Sequence, residues 1–158
     1  MNLARTFATA GRVLEQIRHD PRTVALLLVV PSLLIGLVAW MFTDTDVFAT
    51  IGPAMLALFP FIVMFLVTSV AVLRERTSGT LERLLTTPLG KLDLLLGYAI
   101  AFGAVAVVQV GLASAVALWF LDLDVVGSPW VLVLFAVIDA VMGMALGLFL
   151  SAFASTEF

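Results

Sequence analysis

Cysteine is absent from the 158 residues, which excludes a disulfide framework, a thiol nucleophile and a Cys-ligated metal site. Charge is scarce as well. Asp, Glu, Lys and Arg make up 12% of the chain, against about 25% in an ordinary soluble domain. Lys and Arg are missing from every position outside 1–22 and 74–93. The net charge of −3 and the lack of a basic stripe interleaved with aromatics speak against a nucleic-acid partner. HExxH and Gly-x-Ser-x-Gly are absent, as are paired carboxylates within the apolar runs, so no catalytic constellation is legible. A Walker-type GxxxxGK[ST] is also missing, so the chain cannot itself cradle ATP phosphates.

What the chain has in abundance is apolar surface. Hydrophobic residues make up 63% of it and the mean hydropathy is +1.19. Uncharged apolar runs at 23–43, 51–73 and 94–121, and a fourth at 130–153 broken only by Asp139, are each long enough to cross a hydrocarbon layer of about 30 Å. Met1 to Arg22 is mixed in character and no small-residue cleavage site follows the first run, so that run reads as a retained span. Along residues 1–22, Leu3, Phe7, Ala10, Leu14 and Ile17 recur three to four apart, with Arg5, Arg12, Glu15 and Arg18 on other faces. That pattern predicts an amphipathic helix lying at the membrane interface. His19, before Asp20-Pro21, reads as a headgroup or capping contact rather than a ligand. The expected fold is all-α, a single polytopic transmembrane domain over 1–158.

The short loops fix an expected orientation. Segments 1–22 and 74–93 hold all eight cations, whereas 44–50 and 122–129 carry only acids: Asp44, Asp46, Asp122 and Asp124. By the positive-inside bias, both ends of the chain and the 74–93 loop face the cytoplasm. Inside the spans, Pro31, Pro53 and Pro60 each remove a helical backbone bond. Gly97, Gly103 and Gly111 allow close helix approach, and Gly143 with Gly147 forms a GxxxG pattern that favours packing within the chain over a dimer face. Asp139 and Gln109 stand out among few intramembrane polar groups. Asp139 is either a carboxylate bonded to a neighbouring helix, such as the one bearing Gln109, or a lining residue of a substrate path.

The loop at 74–93 is richer than a connector needs to be. Gly79 breaks the preceding helix, Thr80 is a good N-cap and Glu82 sits in the first turn, where the dipole favours an anion. Leu81, Leu84 and Leu85 make an apolar stripe with Arg83 on another face, and Pro88 and Gly90 end the element. This predicts a short amphipathic helix, a docking element for a cytoplasmic partner.

Arg74-Glu75-Arg76, Ser78-Gly79-Thr80-Leu81-Glu82, Leu84-Leu85 and Thr87-Pro88 resemble the cytoplasmic signature of ABC-2 type transporter permeases, of the drug-resistance or daunorubicin-exporter kind. Arg76 departs from the acid common at its position; Lys91 and Gly97 fit the continuation. The resemblance implies the membrane subunit of an exporter for a hydrophobic or amphiphilic substrate, with two further spans beyond residue 158. It implies that 74–93 is a coupling helix docking a separate ATP-binding subunit. Glu75, Gly79, Thr80, Glu82, Arg83 and Pro88 would engage that subunit, with Leu81, Leu84 and Leu85 packing inward. ATP and Mg would then sit on the partner, with no cofactor on this chain, and a second permease copy or paralogue would complete a dimer. The alternative is a non-transporting four-helix anchor that recruits a cytosolic protein.

Overall fold

A computed structural model describes residues 3–43, 46–77 and 90–151. Among them the chain is helical without a strand: α1 (Leu3–His19), α2 (Pro21–Met41), α3 (Val47–Thr77), α4 (Lys91–Ala115, continued by a π-helical turn over Val116–Phe120) and α5 (Pro129–Ser151). Four segments are long and apolar enough to cross a membrane: Pro21–Met41, Val47–Glu75, Leu92–Phe120 and Pro129–Ser151. The chain is an all-α, polytopic membrane protein.

Local chemistry sets the helix ends. Asp20 caps α2 by accepting from the Arg22 and Thr23 amides at 3.1 and 3.3 Å and from the Thr23 hydroxyl at 2.7 Å. Pro21 follows at the first helical position, where its missing N–H costs nothing. That junction leads α1 into α2 with no loop between. α3 starts before the apolar run expected at 51 and ends beyond 73, and its 31 residues span about 46 Å. One continuous rod therefore runs from the bilayer into the polar segment. At the far end of α4 the helix widens: the Leu121 amide bonds the Val116 carbonyl five residues back. Asp122, at φ 46°, then reverses the chain.

Packing divides into two apolar clusters. The larger joins Ala10 and Val13 of α1 to Met64, Phe102, Ala140 and Met144 in the spans. The smaller sits at the opposite end, where Leu123 folds back from the connection onto Ile35 and Leu56. The most extensive helix pair is α3 with α5. Gly143 lies on the Phe61 carbonyl, and a Cβ on Gly147 would stand 2.6 Å from the Phe65 carbonyl oxygen. Glycine at these two positions lets the backbones touch. Gly103 and Gly111, expected to serve the same purpose, do not: among the described residues, nothing would lie within 4 Å of a Cβ added at either position. Among the described residues, no neighbouring helix approaches them closely.

α1 leaves the outer part of its apolar stripe exposed and buries a second face. Thr6, Thr9, Ala10 and Val13 form the buried face, while Leu3 and Phe7 are 64% and 61% exposed. The reason is the close fit on α4: Gly97 leaves room for the Thr9 side chain, whose Cβ would be 2.6 Å from a Gly97 Cβ. Small hydroxyl residues make the protein contact, and the large apolar ones are left for lipid. Trp40, Trp119 and Trp130 are all exposed at the end remote from α1, the placement of an interfacial aromatic belt.

Candidate functional site

The polar groups converge where α1, the end of α3 and the beginning of α4 meet. Arg12, on α1, is the centre. Its Nη1 donates to Glu75 Oε1 on α3 at 3.3 Å and to Gln16 Oε1 at 3.0 Å, and its Nη2 donates to the Tyr98 hydroxyl on α4 at 3.2 Å. The guanidinium carbon lies 5.9 Å from the Tyr98 ring centroid, within cation–π range. Tyr98 in turn stacks on Phe102, with centroids 6.4 Å apart and ring planes 12° from parallel. A planar fork that reaches two helices and its own helix at once requires arginine.

This node is partly shielded. The Arg12 and Glu75 side chains retain 30% and 15% of their exposure, so removing either one alone would leave a partly shielded charge without its partner. Nearby, Asp93 is buried in the first turn of α4, where an anion suits the helix dipole, and Thr6 donates to its Oδ1 at 3.5 Å. Together these contacts tie α1 to both helices that border segment 78–89.

A groove of about 440 Å³ opens beside the node. Val30, Val63, Val67 and Phe102 are among its apolar walls, and Gln16, Asp20, Arg74 and Glu75 form its polar rim. Asp20 is held below the ordinary carboxylate range, first by the Thr23 hydroxyl, then by the Thr23 and Arg22 amides and by the nearby Arg74 cation.

The residues singled out in the sequence fall into three groups. Glu75 is in the node, turned to Arg12. Gly79, Thr80, Leu81, Glu82, Arg83, Leu84, Leu85 and Pro88 lie outside the described residues. Gln109 and Asp139 are not joined. Gln109 is fully buried, with neither amide atom hydrogen-bonded among the described residues, while Asp139 is half-buried on α5. The expected bond between their helices does not form because α5 presents Ala136, Ala140 and Gly143 inward and carries Asp139 on its flank. Thr68 Oγ1 and Ser114 Oγ are likewise buried without partners among the described residues, whereas the hydroxyls of Ser32 and Ser69 bond carbonyls one turn back. Among the described residues, no group of His, Asp and Glu is placed to hold a metal ion.

Sequence reasoning missed Arg12, Tyr98 and Asp93. A signal existed in Thr6 and Thr9, small residues one turn apart that mark a close-packing face of α1.

Residues 5–158 match the family described as ABC-2 type transporter. The chain belongs to that family. It is 31% identical over 121 residues to the probable multidrug ABC transporter permease YbhR of Escherichia coli K12, and equally to that of Escherichia coli O157:H7. Each match covers 75% of this chain and 32% of the relative, so the chain spans about a third of the length of these curated relatives. No solved structure matches it. In this ABC-2 chain the node stands at the root of the 74–93 segment, on its first glutamate.

Proposed function

We propose that the chain is the membrane-embedded permease part of an ATP-binding cassette exporter, moving a hydrophobic or amphiphilic substrate outward across the cytoplasmic membrane. Its α1 and its 74–93 segment face the cytoplasm, and the segment docks a separate ATPase. A second permease copy or paralogue completes the assembly. The name of the Escherichia coli relative extends the proposal to a multidrug substrate range.

The observation that carries this reading is the Arg12–Glu75–Tyr98 node. α3 runs unbroken from the bilayer to Thr77, so a push on 78–89 acts on a rigid lever. Glu75 and Tyr98 clamp α1 to that lever and to α4, so the three helices respond as one body rather than singly. A packed unit of this kind carries a displacement at a docking site into the spans as a shift of whole helices. The chemistry of ATP hydrolysis, with its Mg, belongs to the partner; this chain contributes the docking surface, the lever and the apolar pathway.

The test is co-purification with the ATPase from native membranes. Gly79→Pro combined with Glu82→Lys is chosen to break the short helix that the sequence predicts there and to reverse the charge of its first turn, and the complex is expected to be lost while insertion persists. A complex retained in full contradicts the docking role.

A further inference from the structure

The groove beside the node is bounded by α1, α2, α3 and α4 and is open on one side. Its dimensions are specific. Along α2 it extends from the cap at Asp20 to Val30, about 14 Å from Pro21, and along α3 from Val63 to Arg74, about 16 Å, at 1.5 Å per residue. One leaflet of a bilayer has about the same hydrocarbon depth, half of a roughly 30 Å core. The walls are aliphatic and aromatic over this whole length, and polar groups occur only at one end. The volume lies within the ~300–1,000 Å³ of ordinary ligand sites. At the polar end Glu75 already pairs with Arg12. Asp20 and Arg74 line the mouth as well, two charges of opposite sign, close enough that the Arg74 cation acts on the Asp20 carboxylate.

We propose that this groove holds one acyl chain of a zwitterionic membrane phospholipid, with the headgroup ammonium on Asp20 and the phosphate on Arg74. Both signs at the mouth select a headgroup carrying both. Phosphatidylglycerol would bring the same phosphate to Arg74 but offer Asp20 only neutral hydroxyls in place of an ammonium, and a cationic amphiphile would face Arg74. The lipid would fill the space between α1 and the spans, beside the node that binds them. The site does not depend on what the assembly exports.

The absence of cysteine from the chain makes the test direct. Single variants Val70→Cys and Ile17→Cys, on the groove wall, carry a bimane fluorophore, and Val29→Cys, exposed on α2 away from the groove, is the reference. The full chain is reconstituted in phosphatidylglycerol vesicles containing rising fractions of phosphatidylethanolamine brominated on one acyl chain. Half-quenching at Val70 and Ile17 is expected at a brominated fraction about 1.4- to fivefold lower than at Val29, the range an accessible ion pair provides. Asp20→Asn, which keeps the helix cap because Asn caps as well as Asp, and Arg74→Gln should each move the groove curves onto the Val29 curve. Identical curves at all three positions would overturn the proposal. So would equal quenching by brominated phosphatidylglycerol at the same low fractions, or a preference that survives both substitutions.

Discussion

Replacing Gly147 with alanine places a methyl group 2.6 Å from the Phe65 carbonyl oxygen, 3.1 Å from Thr68 Cβ and 3.2 Å from the Ser69 amide nitrogen. The first of these is about 0.8 Å inside the 3.4 Å at which ordinary contact begins. None of the three atoms is the tip of a flexible side chain, so α3 and α5 must separate along their contact. Gly143→Ala meets the Phe61 carbonyl in the same way, one turn away. Overpacking of this kind costs about 1–3 kcal/mol per site. The double variant should cost less than the sum, because one separation of the helices relieves both clashes. Gly103→Ala and Gly111→Ala are the internal controls, with no atom of the described residues within 4 Å of the added carbon. Relief of glycine's backbone entropy makes them neutral or stabilising by up to about 1 kcal/mol. The assay is reversible unfolding in mixed micelles with increasing SDS, followed by helical circular dichroism. If Gly143→Ala and Gly147→Ala unfold within about 0.5 kcal/mol of the two controls, the spread of a bland surface substitution, the close approach of α3 and α5 is refuted.

Three other outcomes are expected. Arg12→Lys should fail to replace the node, because an ammonium cannot reach Glu75, Gln16 and Tyr98 together; protease cleavage between α1 and α2 should become faster, and Arg12→Ala should match it. Gln109→Leu removes a buried amide that has no partner among the described residues and should be neutral or stabilising by about 1–2 kcal/mol in the same unfolding assay; a large loss would mean the amide is bonded. Asp20 has its carboxyl lowered in the folded chain, so its cap contributes above the unfolded carboxyl value and is lost as pH falls through the lowered one. Amide exchange at Arg22 and Thr23 should therefore accelerate below the ordinary value of 3.8, and Asp20→Asn should remove that dependence.

The spans are legible in the sequence because membrane helices announce themselves by composition: four runs with almost no charge need no partner to be recognised. The signature from Arg74 to Pro88 is legible because its turn residues sit at fixed spacing, and the family match over 5–158 agrees with it. Pairings across the chain are not. Arg12 is 63 residues from Glu75 and 86 from Tyr98, and no local period carries that information. The period of α1 points Leu3, Phe7 and Leu14 at the bilayer, and they are exposed; what it does not carry is the other face, where Thr9 packs on Gly97 of α4. Likewise Asp139 and Gln109 share a polarity but not a face, since rotation of α5 is set by Gly143 and Gly147 against α3.

The central claim is that the segment beginning at Glu75 meets an ATPase on the same side of the membrane as α1. It is tested most directly by photocrosslinking in native membranes, with benzophenone attached to Glu82→Cys or, on the opposite connection, to Asp124→Cys. A crosslink to the ATPase is expected from position 82 and none from position 124. Crosslinking from 124, or its absence from 82 in a complex that still co-purifies, would contradict it.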